Sequence, residues 1–494
     1  MLIEREQAET DLLACAAFVA ERIGSADGHA ASVSDIAFRY AAKGELDLAA
    51  GLADEIRDPH TRDVVLSEIA ARCADFNDDE YGLQLTEAIE DYGYQQQARH
   101  NLAARQAVNG RLEDALATAD QMDDSFATIG EIAVRFAHNG DEIRARQLLE
   151  QIDFPSVRVQ VLNQLAAAKT KSGESAEAVL LESLSESEQI EFAEEQTQLL
   201  LEIAERFHDA GQTERAASVL EHAEQLAETL EGRFRDSTLM QIALLFARIG
   251  NFEKAEQILE PIEDLQQNAS AHAGIALEYQ ANQDNEHALS SLEEAYAVLK
   301  SQPDRAIRDS KSRFNLFSAI AVRFAQFGKP ERGLEIALEN PDEEPRYSAL
   351  TNIAAVSAAD GKDELARQAV NAIEDYATRI FALTAISDSE AKKGNAEKSE
   401  QFLKEAHALS EEVVQLTLRS QALNDIAERF AERGDLAQAA ALLHESLQIA
   451  QMIVDQSHQV GALVDLAETY EKLDLKPDEK EFEILDLIVR KRLI

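Results

Sequence analysis

The sequence predicts an all-α fold, a solenoid of antiparallel helix pairs, and three observations predict it. Ala, Leu and Glu dominate a chain that is 45% hydrophobic with only 20 Gly and 8 Pro, which suits helices better than sheets. The phrase "DIAFRYAAKGELDLA" at 35–49 returns as "EIAVRFAHNGDEIRA" at 131–145 and as "DIAERFAERGDLAQA" at 425–439. At 494 residues the chain is also too long for one compact globule, so several domains or an elongated array are expected.

Anchored on the glycine of that phrase, turn positions recur at Gly44, Asn77, Gly110, Gly140, Gly173, Gly211, Gly250, Gln283, Gly328, Gly361, Gly394, Gly434 and Asp474. Gly, Asn and Asp tolerate the left-handed backbone that a tight helix–helix turn uses. Gln283 is the awkward member, and Asn282 beside it is the expected substitute.

Eight residues before every anchor stands Ile or Leu, from Ile36 to Leu466, and the next residue is Ala except at Ser387. Eleven before it the residue is large and apolar except at Arg99 and His272. Four before it an aromatic such as Tyr40, Phe136, Phe207 or Phe430 is common. Offsets of three, four and seven mark one buried stripe on a first helix. Five after the anchor a small residue recurs, among them Ala49, Gly82, Ala178, Ala216, Ala255 and Gly333, so a second helix can press close. Each unit therefore reads as helix, turn, helix, and stacking supplies the surface that one unit cannot bury alone. The steps of 38 to 45 residues must lengthen a helix or a loop.

The order large-apolar, Leu or Ile, small, aromatic, turn Gly, Ala resembles the tetratricopeptide repeat family over roughly residues 30–480, in about thirteen degenerate units. The Trp of that family is here an aliphatic residue or Phe317, and the proline usually closing the second helix is mostly missing. The resemblance implies a right-handed superhelix of helix pairs with a partner-binding concave face. The expected organisation is a capping helix in 1–30, a first array over 31–300, a basic connector at 301–314, a second array over 315–476 and a capping helix at 477–494.

A balance of 47 basic to 93 acidic residues gives a net charge of −46. That field repels phosphate backbones and anionic membranes, so neither nucleic acid nor membrane is an expected partner. It suits cationic partners or a saline setting, as does the 16 to 31 ratio of Lys to Arg. The start "MLIEREQAET" lacks the basic stretch of a secretory signal, and "LLACAAFVA" is too short to span a bilayer, so a cytoplasmic location is expected. Cys15 and Cys73 read as small core residues.

Arginines stand five before seven of the turns: Arg39, Arg72, Arg105, Arg135, Arg206, Arg323 and Arg429. They could form a cationic ladder for an acidic segment. The favoured reading is structural, because Asp35, Glu68, Glu131, Glu202 and Asp425 lie one helical turn earlier. The resemblance places a groove on the first helices. Thirteen and ten residues before the turns it carries Gln97, His100, Gln160, Asn163, Gln198, Asn315, Ser318, Thr351, Thr384, Gln421 and Asn424 as candidate contacts. The Lys and Asn set that clamps a C-terminal carboxylate in some family members does not line up. The stretch "LKSQPDRAIRDSKSRF" at 299–314 stands out as basic, a solvated connector or a docking loop.

No Gly-rich phosphate loop, His-Glu-x-x-His or metal-spaced Cys pair occurs, so neither catalysis nor a cofactor or metal is expected. The expected function is a protein-interaction scaffold that binds peptide or helical segments, basic ones among them. The alternative is a self-assembling repeat protein, in which "FEILDLIVRKRLI" of one copy docks on "LLACAAFVAERI" of another to give a dimer or filament.

Overall fold

A computed structural model describes residues 2–123, 125–301 and 310–491, and all regular secondary structure among them is helical. The unit foreseen from the sequence, a first helix, a tight turn and an antiparallel second helix, recurs along the chain. All thirteen anchors lie at positive φ, between 52° and 87°. At each, the amide after the anchor donates to the carbonyl four residues before it at 2.8–3.0 Å, so a six-residue ring closes the first helix. Gln283 itself adopts φ 63°, whereas Asn282 stays at φ −85°. The left-handed position is thus fixed by register, and side-chain preference yields to it.

The apolar stripe is buried as its spacing requires. Ile36, Ile69, Leu102, Ile132, Ile203 and their equivalents are no more than 1% exposed, as are Ala216 and Ala255 on the second helices. Gly333 cannot accept even one more methyl, because its Cβ would be driven into the Ala321 carbonyl oxygen.

Ala178 departs from expectation and is exposed. Most second helices begin two residues after the anchor, but after Gly173 the helix is Glu177–Ser187, two residues late. A two-residue delay turns the helix by about 200°, so Leu180 takes the inward place.

The longer steps lengthen the second helix. It is 8 residues in Phe252–Leu259 but 17 in Asn285–Ser301 and in Leu436–Met452. Part of the acid excess goes into caps: Asp58, Asp141, Asp375, Asp435 and Asp455 each accept an amide at a helix start.

The chain divides into two compact units: residues up to Leu102 together with Tyr347 onward, and Ala103–Arg346. In the first, the end of the chain is followed in space by its beginning. The N-terminal stretch forms two helices, Arg5–Ala8 and Leu12–Ala20, in place of the single helix expected, because Asp11 caps a new start by accepting Ala14 N–H at 2.7 Å. All of Leu12–Ala20 is buried, and it packs on Gln456–Lys472 and Glu479–Arg490. Helix Ala26–Ala42 then lies beside Gln456–Lys472 as neighbouring first helices do elsewhere.

The ion pairs repeat the arrangement. Arg429 reaches Asp388 of the preceding first helix at 3.1 Å, and Arg39 reaches Glu468 in the same sense. Arg5 to Asp486 and Lys43 to Glu471 add to the junction, at 3.5 and 2.7 Å. The two terminal stretches expected to dock between copies therefore meet within one chain. A dimer or filament built on that contact would require its exchange between copies.

Among the described residues, no helix is long and apolar enough to cross a membrane. The thiols of Cys15 and Cys73 are buried, and burial pushes both up to about 12.

Candidate functional site

The two rows of candidate groove residues differ in exposure. Thirteen before the turn, Gln97, Gln160, Gln198, Asn315 and Gln421 are exposed. Ten before it, His100 and Thr351 are half-buried, while Asn163, Ser318, Thr384 and Asn424 are buried. The helix geometry accounts for this, since three residues rotate the side chain by about 300°, toward the second helix.

Three of the buried four are satisfied inside the protein. Asn163 accepts from Ser183 Oγ at 2.7 Å and donates to Glu202 at 3.3 Å. Ser318 donates to the Pro345 carbonyl at 2.6 Å and accepts from Asn340 at 3.0 Å. Thr384 donates to the Phe381 carbonyl at 2.9 Å, with Asp425 at 3.3 Å.

Asn424 differs. It is 5% exposed, and neither its amide nitrogen nor its amide oxygen has a hydrogen-bond partner. A buried amide without partners costs about 1–3 kcal/mol, and buried polar groups are otherwise paired. Asn424 borders a cavity of about 670 Å³ between helices Leu416–Glu432 and Gln456–Lys472. Gln421, Asp465, Thr469 and the exposed ring of Phe381 share its lining.

Gln421 donates to Asp465 at 3.1 Å across the cavity. Its carboxylates are largely matched by the protein's own cations: Asp425 meets Arg429 at 2.5 Å, Glu428 meets Lys472, and Glu468 meets Arg39. Burial raises the Asp425 pKa above the ordinary aspartate value despite the Arg429 guanidinium. The unanswered group in the cavity is thus an amide, one donor and one acceptor side by side.

A second cavity of about 650 Å³ lies between Phe126–His138 and Pro155–Ser172. It brings together Gly130, Glu131, Arg135, His138 and Gln160.

The arginine column resolves into separate local pairs. Arg39, Arg72 and Arg429 each pair with the carboxylate one turn back, at 3.4, 3.2 and 2.5 Å. Arg206 does not take Glu202, which faces Asn163; it reaches Asp209 at 2.8 Å. Arg323 donates to the Ala273 carbonyl at 2.7 Å, and burial lowers its pKa. Arg135 is exposed, and Arg105 makes a contact of its own.

In the basic stretch, Arg305 and Arg308 lie outside the described residues. Lys300 pairs with Glu339 at 3.0 Å, Lys311 with Glu344 at 3.1 Å, and buried Arg313 donates to the Leu299 carbonyl at 2.9 Å. Among the described residues no group of three or more His, Cys, Asp or Glu is placed to hold a metal.

Phe381, Asp465 and Thr469 line the cavity without being among the sequence candidates. Phe381 stands thirteen before Gly394, the same offset as Gln421 before Gly434, where an apolar ring carries no polar signal.

No protein-family model matches the chain, and no curated protein matches it. Among solved structures the chain is similar to a human IFIT1 dimer with PPP-AAAA, at 13% identity and TM-score 0.29, covering 82% of this chain and 95% of that one. It is similar to aspartyl phosphate phosphatase F from Bacillus subtilis at 14% identity and TM-score 0.28, covering 70% and 92%. A third similarity is to Ton1535 from Thermococcus onnurineus NA1, at 14% identity and TM-score 0.23, covering 81% and 98%. Likenesses at these TM-scores carry no argument about function.

Proposed function

We propose that this protein is a non-enzymatic scaffold that binds a segment of a partner protein on the face of its first helices, at the cavity beside Asn424. The observation that supports the reading is the buried, unpartnered amide of Asn424 at the wall of a large open cavity. A peptide group offers the complementary N–H and C=O at the spacing an Asn amide presents. The ring of Phe381 supplies an apolar contact beside it. Because most of the lining carboxylates already have cations, the partner is held by backbone bonding and packing, with charge acting on its approach.

Peptides selected from a random library against the full-length protein test this. They are expected to slow amide hydrogen exchange in Leu416–Glu432 and Gln456–Lys472 and to lose affinity for the Asn424→Leu variant. The same variant is expected to be more stable than the parent, since it removes a buried unsatisfied amide. Selected peptides that bind Asn424→Leu as well as the parent would sink the proposal.

A further inference from the structure

The second surface belongs to the other compact unit, Ala103–Arg346. Its first helices Phe126–His138, Pro155–Ser172, Ala193–Asp209 and Gly232–Arg248 pack side by side in chain order. Their direction is shared: Asn163 meets Glu202 near mid-helix, and Arg248 meets Glu205 in the C-terminal halves of successive helices. The N-terminal ends of the four therefore form one edge.

Each end carries an exposed aromatic. Phe126 is 48% exposed, Phe154 55%, Phe192 71% and Phe234 64%. Phe126 and Phe154 touch edge to face, with centroids 6.4 Å apart. An apolar residue at a helix entrance ordinarily packs down on the first turn as a staple. Phe154, Phe192 and Phe234, more than half in solvent, do not serve that purpose, and exposed apolar groups that recur along one edge mark a candidate interaction surface.

The charge around the rings is mainly negative: beside Arg233, the nearby Arg158 and Arg235 are half-buried and already paired with Glu186 and Asp236. Asp153, Glu191, Glu194, Glu195 and Glu231 are exposed and, among the described residues, form no ion pair. Acidic residues near a helix N-terminus help the helix dipole, which explains one or two per end. It does not explain the phenylalanines between them. The cations nearest this edge, Arg158 and Arg235, pair with Glu186 and Asp236 and leave the exposed carboxylates outside any ion pair among the described residues.

We infer that the edge formed by Phe154, Phe192 and Phe234 with the carboxylates around them docks a basic amphipathic segment of another protein. The apolar face of that segment would cover the rings, and its Lys and Arg would meet the unpaired carboxylates. Nucleic acid and anionic lipid are repelled by the same charges.

The test uses the full-length protein and a fluorescein-labelled 18-residue Lys/Leu amphipathic peptide, beside an isomer of equal composition whose leucines are scattered. We expect saturable binding of the amphipathic peptide, weakened as salt rises. It should be at least tenfold weaker for the isomer and for the F154S/F192S/F234S variant, which keeps the parent melting profile because the three rings are exposed. The Asn424→Leu variant should bind the peptide unchanged, which separates this edge from the groove. Equal binding of peptide and isomer, undiminished binding by the triple variant, or absence of saturable binding would each overturn the inference. So would loss of binding in Asn424→Leu alone.

Discussion

The hydroxyls of Ser387 and Ser399 lie 2.9 Å apart, at the place where most other units set two small apolar residues against each other. The two exceptions fall in one unit because each answers the other. Ser387 also donates to the Ser399 carbonyl at 2.7 Å. Arg433 of the next unit reaches the Ser399 hydroxyl at 2.9 Å and that of Ser387 at 3.1 Å. Removing one hydroxyl leaves the other and the guanidinium short of a partner. Ser399→Ala alone is therefore expected to cost about 1–3 kcal/mol, and the Ser387→Ala/Ser399→Ala pair clearly less than the sum of the singles. A double-mutant cycle on thermal unfolding checks this, and strict additivity would refute the coupling.

Gln283 holds φ 63° without glycine's freedom. Gln283→Gly should raise stability by about 0.5–1 kcal/mol, because the strain relieved in the folded turn exceeds the entropy added to the unfolded chain. Chemical denaturation of the two proteins gives the sign directly.

The late start of the helix after Gly173 makes a contrast within one class of residue. Ala216→Leu and Ala255→Leu overpack closed helix pairs and should each cost about 1–3 kcal/mol. Ala178→Leu points into solvent and should leave the melting temperature unchanged. Equal effects at all three positions would show the assigned register to be wrong.

Glu390 occupies the place where other units keep an aromatic ring, and its carboxylate is fully buried. Burial alone would raise its pKa. Lys393 at 2.9 Å, Asn395 at 2.8 Å and Lys398 at 3.4 Å outweigh that and hold it below the ordinary glutamate value. A lowered folded pKa gives stability that is complete above the unfolded value, about 4.3, and is lost as pH falls through the folded one. Asp425 acts in the opposite sense: its raised pKa favours the fold in acid, and that contribution disappears as pH rises through the folded value. Glu390→Gln should therefore flatten the acid limb of the stability profile, and Asp425→Asn should steepen it. Melting temperatures between pH 3 and 7 for the parent and both variants decide the matter.

The helix-turn-helix unit was legible because its signals are local. A stripe at offsets of eleven, eight and four, with a small residue across the turn, demands one pairing geometry, and even Gln283 conforms to it. The delayed helix after Gly173 was not legible, since Ala178 matches the pattern and only the cap geometry at Ser175–Glu177 shifts it. The surroundings of the candidate residues were half legible. The offsets found Gln421 and Asn424, but the engagement of Asn163, Ser318 and Thr384 depends on Ser183, Pro345 and Asp425, which lie 20, 27 and 41 residues away. Glu202 matched the one-turn spacing to Arg206 and still went to Asn163, because spacing gives opportunity while competition among neighbours settles the pair. The aromatic edge escaped notice because its rings sit at helix entrances, outside the periodic positions.

The seating of Leu12–Ala20 against Gln456–Lys472 means that chain order and spatial order are out of phase in the first compact unit. Helices far apart in sequence are neighbours in one run of helix pairs there, with Arg5 beside Asp486. A polypeptide in which a linker connects the stretch before Arg5 to the stretch after Asp486, opened at another left-handed turn of this unit, should assemble the same run.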